Sequence, residues 1–196
     1  MNLAKNIPPG NISQPETAFF DRCVTGDLKA FEKLVQYYQS YVYKLAYRIL
    51  WNEEDAKDIV QEAFIRVWKN ISKYDSRIRF TTWLYKIVTN LCFDKLKSDK
   101  RRKKHMSTSA LNDHINGVPN VNNPDKQLAD NDLVGKIRII AKHLTNKQRT
   151  VFTLRDLQDL EIREIADILQ MSPGAVKSNL HLARKTIRDE LEKLDL

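Results

Sequence analysis

Glycine and proline are scarce, 5 and 6 in 196 residues, too few for the frequent turns that a chain of short strands requires. Cys23 and Cys92 are the two cysteines. They stand far apart and in no C-x-x-C arrangement, which argues against a disulfide framework or a zinc site and leaves two reduced, buried or half-buried thiols. No apolar run approaches the ~20 residues needed to cross a bilayer. Met1 to Pro15 lacks the basic and apolar regions of a secretory signal, so a cytoplasmic location is expected. There is no G-x-x-x-x-G-K-[ST] loop, no His/Cys cluster and no paired catalytic carboxylates. Neither enzymatic activity nor a cofactor or metal is therefore expected. What the chain does have is positive charge: 33 Lys and Arg against 25 Asp and Glu, a formal net charge of +8. That excess suits nucleic acid, although an anionic membrane surface meets the same arithmetic. Hydrophobic residues at 42% are enough for a folded core.

The apolar residues recur with helical period, and the chain is read as all-α. Leu28, Phe31, Leu34, Val35, Tyr38, Val42, Leu45 and Ile49 form one stripe beginning after Gly26, with Asp27 as its cap. Asn52 caps a second helix ending near Asn70. Its first turn, Glu53, Glu54 and Asp55, complements the helix dipole, and Ile59, Val60, Ala63, Phe64 and Val67 form its apolar face. Beyond a polar stretch from Ser72 to Arg79, a third helix is expected from about Thr81 to Lys97, burying Trp83, Leu84, Ile87, Val88, Leu91 and Leu96.

Lys100 to Lys104 then form a charge run, followed by a polar stretch from Ser107 to Pro124 without apolar period, read as a linker. Helical patterning resumes through Leu128, Val134, Ile137, Ile140, Ala141 and Leu144, and Thr145 with Gln148 has the form of a capping box. The expected organisation is a tail over 1–15, a helical domain over 16–104, a linker over 105–127 and a second helical domain over 128–196.

The second domain ends in a helix-turn-helix pattern. A helix carrying Ile165, Ala166 and Leu169 gives way at Gln170 and Met171 to Ser172, a cap, and Pro173, which suits a first helical position. In the last helix Val176, Leu180, Ala183, Ile187, Leu191 and Leu194 form the buried stripe. Lys177, Ser178, His181, Arg184, Lys185 and Arg188 occupy the other face. Such a helix can enter a major groove, with Lys177, Ser178, Asn179 and His181 towards base edges and Arg184 and Lys185 towards phosphates. The alternative is a solvated basic face on a structural hairpin.

In the third helix Thr82, Lys86, Thr89, Asn90, Phe93 and Lys97 are placed on the side opposite the core. Cations, amides and aromatics together suit partly unpaired DNA, and Trp83 and Tyr85 could join that surface. The alternative makes Trp83 and Phe93 core residues. On the second helix Asp55, Asp58 and Glu62 share one side with Gln61. Without a Glu-x-x-His partner they read as a charged contact patch rather than a metal site.

DAKDIVQEAFIRVW (Asp55 to Trp68), FTTWLYKIVTNLCFDKLK (Phe80 to Lys97) and the helix-turn-helix segment from Leu144 to Leu191 occur in the order found in bacterial RNA polymerase sigma factors. The chain resembles their extracytoplasmic-function (ECF) group. The resemblance implies a factor that directs core RNA polymerase to promoters and does no covalent chemistry itself. Asp55, Asp58, Gln61, Glu62, Phe64 and Trp68 would lie at or support the polymerase-binding surface. The loop from Ser72 to Arg79, with Lys73, Tyr74, Arg77 and Arg79, would receive a base of the −10 element, with Thr82, Trp83, Lys86, Asn90 and Lys97 along the strand. Pro173, Gly174, Ala175, Lys177, Ser178, Asn179, His181, Arg184 and Lys185 would meet the −35 duplex. An anti-sigma protein is the further partner implied, and the acidic linker residues Asp113, Asp125, Asp130 and Asp132 would lie near the RNA path or act as a plain tether. Asp159, Leu160 and Glu161 depart from the family's common Gly-x-Ser, and Leu182 stands where some members carry a basic residue. A self-sufficient helix-turn-helix regulator and a nucleic-acid enzyme are the rival readings.

Overall fold

A computed structural model describes residues 15–75, 77–109, 140 and 143–193, which contain helices and turns and no strand. The described elements are α1 (Pro15–Val24), α2 (Leu28–Leu50), α3 (Glu53–Asn70), a 3-10 turn (Ile71–Lys73), α4 (Phe80–Ser109), α5 (Asn146–Phe152), a π turn (Thr153–Leu157), α6 (Ile162–Leu169) and α7 (Pro173–Lys193). The expected tail over 1–15, apart from Pro15, and most of the linker lie outside the described residues, as do Leu128, Val134, Ile137, Ala141 and Leu194.

Helix starts follow the capping chemistry. Asp27 accepts hydrogen bonds from the backbone N–H groups of Lys29 and Ala30, and Asn52 accepts one from Asp55. Thr145 and Gln148 cap each other's backbone, and Ser172 Oγ accepts from the N–H of Ala175 at 3.2 Å. These caps satisfy donors that a helix start otherwise leaves unpaired.

Three features differ from expectation. No helix was legible before Gly26, yet α1 packs on α2 and brings Phe20 against Phe80 and Tyr74 at ring separations of 4.7 and 5.4 Å. Leu28, assigned to the buried stripe, is 70% exposed at the start of α2. The helix expected to stop near Lys97 continues to Ser109. Loss of apolar period signals loss of burial, not of helix, and lysine and arginine are good helix formers.

α2, α3 and α4 enclose Leu34, Val42, Leu45, Ile49, Val67, Leu84 and Val88, and α5 to α7 enclose Val151, Leu154, Ile165, Val176 and Leu180. These belong to one continuous buried cluster, because α5 packs on α2 and α6 packs on α4. Leu45 is fully buried, so Leu45→Ala is expected to lose about 2–5 kcal/mol of stability. A urea midpoint unchanged from wild type would contradict this placement.

Both cysteines are free and buried. Burial pushes the Cys92 thiol up to about 12 and raises that of Cys23, so neither forms the reactive thiolate readily near neutral pH. An aromatic disulfide reagent should modify neither until denaturant is added; rapid labelling of the native protein would contradict the packing.

Candidate nucleic-acid interface

α4 presents two distinct faces. Trp83, Ile87 and Asn90 follow one another at steps of four and three, and together with Arg66, Asn70 and Lys73 they line an open pocket of about 290 Å³ between α3 and α4. Trp83 is half-buried, its ring tilted against Tyr74 at 5.3 Å and Phe80 at 5.7 Å, so the ring is core on one side and pocket wall on the other. Arg66 is steadied by Glu62, 2.8 Å from its Nε, and Asn70 Nδ2 donates to the Arg66 carbonyl at 2.9 Å. A flat aromatic wall with a guanidinium, an ammonium and two amides can stack a heteroaromatic ring and bond its edge. Lys73, Trp83 and Asn90 were anticipated. Arg66 and Asn70 were not, although their spacing of four and their closeness to Lys73 put them on the flank that α3 turns to α4.

The loop before α4 is fixed by its own groups. Tyr74 Oη donates to the Ile78 carbonyl at 2.5 Å, and Arg77 holds Asp75 in a bidentate pair, which lowers the Asp75 carboxyl to about 2. Lys86 is half-buried and Lys97 is exposed.

The other face of α4 is not free. Thr82 and Thr89, expected opposite the core, are buried at 9% and 0% exposure, and Thr89 Oγ1 donates to the Tyr85 carbonyl at 2.8 Å. Tyr85 lies on the same side, buried, with its hydroxyl 3.4 Å from Gln158 Oε1. Thr82 therefore cannot reach DNA in this arrangement, because α6 covers that side of α4. Arg79 Nη1 sits 3.4 Å from Glu164, and Arg149 Nη1 donates to the Ile49 carbonyl at 2.9 Å, in the last turn of α2 where a cation is favoured. The π turn delivers Gln158 to Tyr85. Arg48 Nη1 is buried without a hydrogen-bond acceptor, so the junction between the modules joins a continuous apolar cluster to polar groups that are incompletely satisfied.

On α3, Asp58 and Gln61 are exposed and Glu62 is half-buried. Phe64 is 6% exposed; it can support that surface only from beneath. Asp55 is tied to Lys95 at 2.7 Å, joining α3 to α4, and the Trp68 ring packs edge-on against Phe31 at 4.7 Å. Ile65 adds an exposed apolar side chain to the same face, at 48%, a position the charge pattern had hidden.

In the helix-turn-helix, α6 and α7 pack through Ile165, Val176 and Leu180. Gln170 closes the turn at a left-handed φ of 52°, and Asp159 adopts φ 55° before α6. Short polar or amide side chains tolerate this region where glycine would be easier. Glu161, at the departure from Gly-x-Ser, starts α6 with its N–H bonded to Glu164 Oε2 at 3.1 Å. Pro173, Gly174, Lys177, Ser178, His181 and Lys185 are exposed, while Ala175 and Asn179 are half-buried. Asn179 Nδ2 donates to the Ala175 carbonyl at 2.8 Å, and Arg184 is held by Asp156 through two bonds of 2.6 and 3.0 Å. These two are therefore bound within their own module.

A helix-turn-helix with a basic outer face, coupled to a helical module with an open, aromatic-walled pocket, suits a DNA-directed transcription protein. A family model for sigma-70 region 2 matches residues 34–102, and one for sigma-70 region 4 matches residues 139–187. Among curated relatives, the ECF RNA polymerase sigma factor SigW of Bacillus subtilis is 35% identical over 86% of this chain and 92% of its own length. The ECF RNA polymerase sigma factor SigE of Mycolicibacterium smegmatis is 34% identical over 90% of this chain and 68% of its own length. A solved structure of the sigma factor RpoE with the anti-sigma factor NepR from Bartonella quintana shares the fold, with a TM-score of 0.66, 16% identity, and coverage of 84% of this chain and 98% of that one. The chain belongs to the ECF group of RNA polymerase sigma factors, which are regulators of transcription initiation.

Proposed function

We propose that the chain directs core RNA polymerase to promoters whose −35 duplex is read by α7 and whose −10 element is opened at the α3–α4 pocket. The observation that carries this reading is the docking of the two modules. A compact body of this length has a diameter of about 40 Å. Elements centred about 25 base pairs apart on duplex DNA are separated by about 85 Å at 3.4 Å per base pair. The docked chain cannot touch both, so the modules must separate and something else must hold them apart.

Core polymerase supplies that scaffold, engaged through Asp58, Gln61, Glu62 and Ile65, with Phe64 and Trp68 supporting them. Taking a base out of the stack costs a few kcal/mol. The Trp83 wall with Arg66, Lys73 and Asn90 offsets part of that cost, and tethering to a second DNA contact raises the effective concentration for the rest. The anti-sigma expectation is supported by the RpoE–NepR likeness in fold, and the cytoplasm is where all these partners meet.

The direct test is run-off transcription on fragmented genomic DNA with core polymerase and the purified chain. Defined start sites sharing upstream −35 and −10 sequences are expected, and absent when either protein is omitted. Initiation no different from core polymerase alone would overturn the reading. Within it, Arg66→Ala with Asn90→Ala should slow open-complex formation by about tenfold to a hundredfold, as loss of two bonds to an extruded base implies, while −35 duplex binding is unchanged. Potassium permanganate reactivity of −10 thymines measures it; undiminished reactivity would remove the pocket from the mechanism.

A further inference from the structure

Leu182 is 48% exposed in the middle of the proposed DNA-facing side of α7. A single exposed leucine on a protein surface carries no message of its own. Its neighbours do. At 3.6 residues per turn Leu182 lies about 40° around the helix from Ser178 and about 60° from Lys185, and about 160° from Leu180 of the buried stripe. Ser178, His181 and Lys185 are exposed, and α7 meets α5 and α6 through Val176, Leu180 and Ala183, on its far side. Leu182 therefore supports no core, yet it interrupts a strip of hydrogen-bonding and charged groups.

In a major groove a leucine has nothing to offer the acceptors of guanine or the amino groups of adenine and cytosine. The apolar feature presented there is the C5-methyl of thymine. We propose that Leu182 packs on a thymine methyl and so specifies a T·A pair at one position of the −35 element. This rests on α7 being the −35-reading helix, and it adds the base class that one of its residues selects. Lys177, which carries donors, is left to read acceptors at a neighbouring pair, whereas the Ser178 hydroxyl already donates to the Gly174 carbonyl at 3.0 Å.

The test uses the full chain with core polymerase and a promoter library randomised across the −35 element. Wild type is expected to enrich thymine at one position on one strand. Leu182→Ala should lose that preference there and keep the others, since the residue is exposed and its removal leaves no cavity. Leu182→Arg should move the preference towards guanine, whose O6 and N7 suit a guanidinium. Deoxyuridine in place of that thymine, which removes only the methyl, should weaken open-complex formation by wild type about fourfold, the worth of one buried methyl group. It should leave Leu182→Ala unaffected. Equal activity of wild type on thymine and deoxyuridine, or an unchanged selection by Leu182→Ala, would overturn the proposal while leaving the sigma-factor reading intact. Failure of wild type to initiate on any member of the library would overturn that reading, and this proposal with it.

Discussion

Asp58→Arg is expected to weaken binding to core RNA polymerase by about a hundredfold or more while leaving thermal melting unchanged. Asp58 is exposed on α3, so the substitution disturbs no packing. It reverses a charge at the centre of the surface formed with Gln61, Glu62 and Ile65. Placing like charges opposite each other across an interface costs several kcal/mol, and each 1.4 kcal/mol is about tenfold in affinity. Asp55 makes an informative contrast. Its carboxylate is bound to Lys95, so Asp55→Ala should act mainly through the α3–α4 junction, with a smaller loss of affinity and a lowered melting temperature. Anisotropy of a labelled chain titrated with core enzyme separates the two; equal affinities for Asp58→Arg and wild type would take α3 out of the polymerase interface.

Lys177→Glu should reduce initiation at promoters that depend on their −35 element by about tenfold to a hundredfold. Lys177 is exposed in the first turns of α7, where a recognition helix meets base edges. Loss of a base contact costs about 1–3 kcal/mol, and the new carboxylate adds repulsion from the phosphates. The effect should vanish when the −35 sequence is scrambled, because the contact is then already lost. A similar fall on intact and scrambled templates would show that the variant acts elsewhere. Arg184→Ala should combine a weakened tie to Asp156 with any loss of phosphate contact, so a lowered melting temperature should accompany its effect on transcription.

The elements that could be read from sequence are those decided locally. Asp27, Asn52, Thr145 and Ser172 each cap the helix expected of them, since a cap requires one side chain and the next two or three N–H groups. The helix-turn-helix was legible for the same reason, through Pro173 and the stripe of Val176, Leu180 and Ala183. The features that escaped depend on distant partners. Tyr85 and Gln158 are 73 residues apart and Arg149 and Ile49 are 100 apart, so nothing in either segment announces the docking that buries Thr82 and Thr89. Arg66 and Asn70 had ordinary places in an amphipathic helix. Only the approach of α4, with Trp83 and Asn90, turned them into pocket walls. Helix α4 outran its apolar pattern because solvated lysines sustain a helix as well as buried leucines do.

Undocking underlies the whole account and can be perturbed without touching a DNA-facing residue. Arg149→Ala with Gln158→Ala removes two of the groups that bridge the modules and should raise the radius of gyration of the free chain by about 3–5 Å, as two separated domains replace one compact body. Small-angle scattering reads this directly, and an unchanged radius would mean that the buried apolar cluster alone holds the modules together.

The claim that polymerase must hold the two DNA-reading modules apart is tested most directly by titrating the chain against a fluorescent duplex carrying its mapped promoter, with and without core polymerase. With core enzyme, a stable complex that requires both the −35 and −10 sequences is predicted. Without it, binding should be weak, insensitive to the spacing between the two elements, and lost steeply with added salt. Tight, spacing-dependent binding by the chain alone would contradict the account and favour a self-sufficient helix-turn-helix regulator.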